Sequence, residues 1–168
     1  MINSNYFVEP LRRDHQSENF DCGESSLNEF LFFYARQNNE RGLGKTFVAV
    51  EDLQPLEIAG YYTLSSGSIS FEQLPEKLPR YPVPVIHLGR LAIDLKAQGK
   101  GIGKLLFYDA LQRSLIVADQ IGIYAVEVYA LNETARQFYL KYGFQELLDD
   151  PFHLYLSVKS IRKLFGNF

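Results

Sequence analysis

Apolar residues recur along the chain at two spacings, one typical of helices and one typical of strands. The first helical stripe has intervals of three or four residues and predicts a helix that ends before Gly42. Its members are Leu27, Phe30, Leu31, Tyr34 and Ala35. Ser26 and Glu29 match the capping box, in which a serine hydroxyl and a glutamate three residues later satisfy exposed N–H groups at a helix start.

Two further helices are predicted, over 101–121, where apolar residues form one broad face, and over 132–142. Apolar runs of strand length predict strands over 7–11, 46–50, 58–70, 85–95, 125–130, 144–148 and 152–158. The segment 72–84 is predicted to be a loop, because it is rich in proline and proline cannot donate to a strand ladder. The order β-α-β-β-β-α-β-α-β-β therefore predicts an α/β fold with a mixed sheet, in a single domain over residues 1–168.

Composition narrows the class of protein. The formal net charge of −3 gives no general attraction for nucleic acid, although the 17 basic side chains can still form a local patch. The single cysteine excludes an intrachain disulfide and a cysteine-built zinc site, and we expect no metal. No run approaches the roughly 18 apolar residues of a membrane span, so we expect a cytoplasmic protein that does not bind membranes.

The segment 98–103 carries the strongest chemical signal. Its three alternating glycines leave backbone N–H groups free to approach an anion, and the helix that follows has a partial positive charge at its start. The spacing matches neither a Walker loop nor a dinucleotide-binding fingerprint. A pyrophosphate cradle is favoured, and the alternative is a glycine-rich turn that binds no ligand.

The residues 98–103 resemble the Gln/Arg-x-x-Gly-x-Gly/Ala acetyl-CoA signature of the GNAT N-acetyltransferases. A second motif of that family is matched by Asn132, Phe138, Tyr139, Gly143 and Phe144. The resemblance covers most of the chain and implies the GNAT fold, with a mixed, mostly antiparallel sheet flanked by helices. It also implies acetyl-CoA as the acetyl-donor cosubstrate.

Three further segments, 20–23, 60–65 and 88–93, resemble the GNAT toxins of bacterial toxin–antitoxin pairs. Those toxins acetylate the amino group of aminoacyl-tRNA and block translation. The resemblance implies three partners for this chain: an aminoacyl-tRNA substrate, an antitoxin with a ribbon-helix-helix DNA-binding part, and a second copy in a homodimer.

The GNAT resemblance also implies the site residues. Tyr139 would protonate the departing thiolate as general acid, and Asn132, seven residues earlier on the same helix face, would contact the CoA arm. Each has an alternative: Tyr139 as a packing residue and Asn132 as a helix N-cap. The implied cofactor-binding residues are Leu91, Ala92, Ile93, Gln98, Gly99, Lys100, Gly101, Ile102, Gly103, Lys104, Asn132 and Phe138.

The acceptor side is less defined. Arg90 is favoured to face the acceptor, and Arg36, Arg41 and Lys45 are candidates for phosphate contacts or for a solvated helix end. No general base stands out: Glu127 and Asp94 have no special spacing, and His87 fits a buried core histidine. An α-amino group with a pKa near 7.7–8.0 needs little help from a base, which favours an aminoacyl ester over a lysine.

The sequence is compatible with three functions. The favoured one is acetylation of an aminoacyl-tRNA by a translation-blocking toxin. The enzymatic alternative is a small-molecule or protein amine acetyltransferase with the same CoA site. The alternative from another class is a non-catalytic module that binds CoA or a partner protein, against which Tyr139 and the glycine loop argue.

Overall fold

The computed structural model describes residues 5–166. In this part of the chain the strands are β1 (Tyr6–Pro10), β2 (Lys45–Glu51), β3 (Gly60–Ile69), β4 (Val83–Ile93), β5 (Ala125–Tyr129), β6 (Gln145–Glu146) and β7 (His153–Ser157). The α-helices are α1 (Ser25–Glu29), α2 (Ala35–Arg41), α3 (Ile102–Ala118), α4 (Glu133–Lys141) and α5 (Val158–Leu164).

The strands form one seven-stranded sheet in the order β1-β2-β3-β4-β5-β7-β6. Strand β5 runs parallel to β4, whereas the pairs β1–β2, β2–β3, β5–β7 and β6–β7 are antiparallel. A parallel pair needs a long crossover, and the chain between β4 and β5 contains α3. The predicted mixed, mostly antiparallel sheet with flanking helices is confirmed.

The chain packs as two compact units. The first takes the chain up to Ser65 together with Gly89–Ala110, and the second takes Ser66–Leu88 together with the chain from Leu111 onward. That residues 1–168 act as one domain stays a prediction.

Tyr61 lies at the centre of the first unit's core. Its side chain is fully buried between the rings of Phe20 and Phe30, at centroid distances of 5.5 and 6.3 Å. The phenol donates a hydrogen bond to the carbonyl of Leu27 at 2.7 Å, so the one polar atom of this buried ring is satisfied. This core holds the first helix against β2 and β3.

The core of the second unit fixes the proline-rich loop. The hydroxyl of Tyr155 donates a hydrogen bond to the Glu76 carboxylate at 2.6 Å, and the hydroxyl of Tyr124 donates to the same carboxylate. Burial alone would raise the pKa of Glu76, but the two phenol hydrogen bonds outweigh it and the pKa is lowered. Leu74 and Val83 are buried in the same cluster, so the loop is anchored by apolar and polar contacts together.

The first helix differs from its prediction. Glu24 occupies the N-cap and makes no side-chain cap, so the predicted capping box at Ser26 and Glu29 is wrong. The segment Phe30–Tyr34 is π-helical, because the amide of Ala35 bonds to the carbonyl five residues earlier. The wider turn changes which side chains face the core, and Tyr34 is exposed although the stripe placed it inside.

The helix end at Gly42 is confirmed by its left-handed backbone (φ 73°). The region after β7 is not a longer strand, as the apolar run through Val158 suggested. The hydroxyl of Ser157 instead accepts the Ser160 amide at 3.1 Å and starts α5, a helix that the sequence analysis missed. Within residues 5–166, no helix combines the length and apolar character needed to cross a bilayer.

Candidate active site

The loop between β4 and α3 has the backbone of an anion cradle. Gly99 and Gly101 adopt left-handed conformations, with φ of 80° and 81°, which residues with a Cβ rarely adopt. A Cβ built at either glycine meets no heavy atom within 4 Å, so the space beside the loop is open. Gly103 lies in the first turn of α3. The left-handed backbone therefore favours glycine at two of the three alternating positions, Gly99 and Gly101.

The start of α3 completes this cradle. The first bond of the helix runs from the amide of Leu105 to the carbonyl of Gly101 at 3.1 Å, so the amides of 102–104 precede the ladder. These N–H groups carry the partial positive charge of the helix terminus. Lys100 is exposed on the loop, and Lys104 lies in the first turn, its ammonium 5.7 Å from the centre of the Tyr108 ring. Amides, helix dipole and two ammonium groups together suit a phosphate or pyrophosphate.

A buried carboxylate holds this loop in place. Asp94 accepts the amide of Lys96 at 2.9 Å and the amide of Asp21 at 3.0 Å. Asp21 in turn accepts the Gly23 amide and the side-chain amide of Asn28. Asp94 was considered as a base from the sequence, but the structure makes it a clamp between the 20–23 segment and the loop.

The end of β4 offers backbone groups to a ligand. Ala92 is buried, and Leu91 and Ile93 are half-buried. The side chain of Gln98 donates to the carbonyl of Ile93 at 3.2 Å and ties the loop back to the strand. A Cβ at Gly60 would lie 2.9 Å from the Ala92 carbonyl, so β3 requires glycine at this point. That these backbone groups bind pantetheine stays a prediction.

The predicted acceptor residues of the first unit differ in availability. Arg36 directs its guanidinium to the carbonyl of His15 at 2.5 Å and to the Ser17 hydroxyl at 3.1 Å, so this side chain supports the local fold. Lys45 donates to the carbonyl of Asn39 at 3.2 Å, and Arg41 is exposed at the end of α2. Their phosphate contacts stay predictions.

The side chain of Arg90 packs against an aromatic ring. Its guanidinium carbon lies 3.6 Å from the centroid of the Phe30 ring, a close cation–π contact. Burial lowers the pKa of Arg90, and the nearby Tyr61 acts in the opposite direction.

The second unit holds the remaining predicted residues on α4. Tyr139 is buried with its ring 5.3 Å from those of Phe138 and Phe144. Burial raises the pKa of the Tyr139 phenol, so it keeps its proton throughout the neutral range. Asn132 is the N-cap of α4, with its oxygen accepting the Ala135 amide at 2.9 Å. The cap does not use the Nδ2 donor of Asn132, so capping leaves that group for a ligand.

The sequence analysis missed a cluster of ionisable groups in the second unit. The Glu127 carboxylate lies 3.1 Å from Nδ1 of His87 and 2.6 Å from Nε2 of His153. The other ring nitrogen of His153 lies 2.9 Å from Asp149, and Tyr129 stacks on that ring at 3.9 Å. Within residues 5–166, no group of three or more such side chains is arranged to hold a metal ion.

The pKa of Glu127 shows which interaction dominates in this cluster. Burial alone would raise it, but the hydrogen bonds from the two imidazoles outweigh burial and the pKa is lowered. No signal in the sequence reveals the cluster, because the parallel register that places His87 beside Glu127 is set only by the tertiary structure.

A family model and a known relative both indicate an acetyltransferase. A family model for the acetyltransferase (GNAT) domain matches residues 21–153. The chain is 40% identical over 151 residues to a tRNA-acetylating toxin of Mycobacterium tuberculosis (strain ATCC 25618 / H37Rv), an alignment that covers 88% of this chain and 89% of the relative.

Two solved structures are similar over nearly the whole chain. AtaT complexed with acetyl-methionyl-tRNAfMet superposes with a TM-score of 0.89 at 31% identity, covering 96% of this chain and 99% of the other. A tyrosine-to-phenylalanine mutant of the AtaT toxin, bound to the C-terminus of the antitoxin AtaR and acetyl-CoA, has a TM-score of 0.84 at 29% identity. That match covers 98% of this chain and 100% of the other.

Proposed function

Because the chain belongs to the GNAT family of acetyltransferases, we propose that it transfers acetyl from acetyl-CoA to the amino group of an aminoacyl-tRNA and so blocks translation. The observation that carries this proposal is the 40% identity to a tRNA-acetylating toxin over most of both chains. The tRNA-bound AtaT structure supports the same acceptor. An acetylated α-amino group can no longer attack a peptidyl ester, which accounts for toxicity.

The donor would bind along the end of β4 and the loop that follows. The cradle of Gly99, Gly101 and the amides at the start of α3 fits the pyrophosphate of CoA, with Lys100 and Lys104 as counter-charges. The backbone of 91–93 would pair with pantetheine and polarise the acetyl carbonyl. Phe138 and the free Nδ2 group of Asn132 would contact the CoA arm.

Tyr139 would act on the leaving sulfur. The amine attacks the thioester carbonyl, the N–C bond forms, the C–S bond breaks, and the amine loses a proton while the thiolate gains one. A thiol of pKa about 8.5 is a stronger acid than a buried phenol, so complete proton transfer from Tyr139 is unfavourable. Tyr139 would therefore stabilise the thiolate by donating a hydrogen bond as the C–S bond breaks. The proton that the amine releases would then neutralise the thiolate.

The acceptor also explains why no dedicated base is required. An α-amino group with a pKa near 7.7–8.0 is appreciably neutral at cellular pH, whereas a lysine near 10.4 is not. Selection of an aminoacyl ester would then depend on positioning rather than on deprotonation.

The partners follow from the same relationship. We propose that a ribbon-helix-helix antitoxin binds this chain, as AtaT binds the C-terminus of AtaR. We also propose a homodimer, for which Phe32, Phe33 and Tyr34 supply exposed aromatic surface. The site of action would be the cytoplasm, where charged tRNA is found.

Substituting Gly101 with alanine is expected to raise the KM for acetyl-CoA by roughly tenfold. A left-handed backbone is unfavourable for a residue with a Cβ by about 1–2 kcal/mol, and relieving it turns the loop amides away from the pyrophosphate. Steady-state kinetics with varied acetyl-CoA measure this. The matched control is Gly42→Ala, because Gly42 has a similar φ of 73° and equally open surroundings at the end of α2. Equal changes in KM in both variants would contradict the cradle.

The proposed acceptor is tested by transfer of labelled acetyl from acetyl-CoA in a translation extract, with RNA, protein and small metabolites separated afterwards. Label is expected on charged tRNA, is expected to be lost when the aminoacyl ester is hydrolysed, and should appear as translation stops. Label on protein or metabolites with translation intact would support the alternative amine acetyltransferase. An absence of transfer to any fraction would support a binding module.

A further inference from the structure

Arg90 differs from the arginines that form ion pairs. Within residues 5–166, its guanidinium faces no carboxylate within ion-pair distance and makes no hydrogen bond, and its close contact is the Phe30 ring. Other arginines of the described chain contact carboxylates: Arg12, Arg13, Arg136 and Arg162. Arg90 is also half-buried, so water solvates it only in part.

A partly desolvated cation without an anion is unfavourable, because burial removes hydration that nothing replaces. The lowered pKa of Arg90 has burial as its main cause. The ring of Phe30 compensates in part through its negative π face. An anionic ligand would supply the remaining compensation, and a guanidinium already held against a ring loses little entropy on binding one.

The position of Arg90 indicates which ligand it meets. It directly precedes the 91–93 backbone that is predicted to hold the acetyl group, and its ring partner lies in the π-helical segment of the first helix. The ring covers one face of the guanidinium, and the N–H groups at its edge form a fork that matches two phosphate oxygens. The cradle at 99–104 is proposed to hold the pyrophosphate of CoA, so an anion at Arg90 would come from the acceptor.

We infer that Arg90, supported by Phe30, binds the phosphodiester that joins the last two nucleotides of the aminoacyl-tRNA. This inference rests on the proposed function. The contact places the terminal aminoacyl ester beside the donor, and it gives a protein of net charge −3 a local means of binding RNA.

The test compares a charged tRNA with the same tRNA carrying a neutral methylphosphonate at its last linkage. The parent is expected to lose roughly 10- to 100-fold in kcat/KM on the methylphosphonate, the usual effect of removing a charge-assisted hydrogen bond. Arg90→Gln is expected to lose as much on the natural tRNA and to lose nothing further on the methylphosphonate. Arg90→Lys should recover part of the loss, because it keeps the charge without the fork.

The matched control is Arg13→Gln, which removes one charge from a side chain that is 87% exposed. It is expected to behave as the parent does on both tRNAs. Additive losses in Arg90→Gln, or a raised KM for acetyl-CoA instead of for tRNA, would overturn the assignment while leaving the proposed function intact. A parent enzyme that acetylates no charged tRNA would refute the proposed function itself.

Discussion

Replacing Tyr139 with phenylalanine is expected to lower kcat for acetyl transfer by roughly 10²- to 10³-fold, the usual effect of removing one hydrogen-bond donor to a developing anion. The substitution removes one oxygen from a ring that is packed among Phe138 and Phe144, so the fold and the affinity for acetyl-CoA should change little. Because burial raises the pKa of Tyr139, the loss should be the same across the neutral pH range. Single-turnover acetylation of charged tRNA measures the rate of transfer. Calorimetry measures the affinity for acetyl-CoA separately.

The control is Tyr142→Phe, the same change one turn further along the chain, where the half-buried Tyr142 ring lies 5.2 Å from that of Phe138. It is expected to retain parental kcat. If Tyr139→Phe turned over at the parental rate, the thiolate would need no hydrogen bond from this residue, and Tyr139 would be a packing residue of α4.

Replacing His153 with phenylalanine is expected to destabilise the protein by about 2–3 kcal/mol at neutral pH. Phenylalanine preserves an aromatic ring for Tyr129 to stack on, at 3.9 Å in the parent. It removes the nitrogen that lies 2.6 Å from the buried Glu127 carboxylate, which then keeps only His87 as a partner. Urea denaturation of both proteins gives the difference.

This effect should depend on pH in a defined direction. The folded-state pKa of Glu127 is lowered, so its contribution to stability is present above the ordinary carboxylate pKa of about 4.3 and is lost as the pH falls through the lowered value. The variant lacks much of that contribution, so the gap in unfolding free energy between it and the parent should narrow in acid.

The matched control is the double variant His153→Phe with Glu127→Leu, which also removes the carboxylate that has lost its His153 partner and should regain part of the lost stability. Two results would show that His153 acts through packing alone. One is a gap in unfolding free energy that stays constant down to pH about 3, and the other is a double variant that is no more stable than His153→Phe.

The glycine cradle was predictable because its causes are local. A left-handed φ at Gly99 and Gly101 and the unpaired amides of a helix start depend only on residues adjacent in the chain. The same holds for the left-handed end of α2 at Gly42 and for Asn132, which can be recognised as an N-cap from the residues that follow it.

Other features were missed because their causes lie far apart in sequence. Glu127 meets His87 through the parallel register of β4 and β5, and His153 through the antiparallel register of β5 and β7. A shift of one residue in either pairing would turn these side chains to opposite faces, and the sequence alone does not specify the register. The structural role of Asp94 was not predicted for the same reason, since its partner Asp21 lies 73 residues away.

By itself the sequence determined the order of most strands and helices, the glycine loop and its helix, and the resemblance to GNAT toxins, because periodicity and motif spacing are properties of neighbouring residues. Tertiary structure alone decided which charges are paired. Arg36 and Arg90 are both basic residues in the sequence, yet Arg36 is engaged by main-chain carbonyls and Arg90 faces an aromatic ring. Burial and partner geometry decide whether a charge is available to a ligand, and both arise only when distant segments pack together.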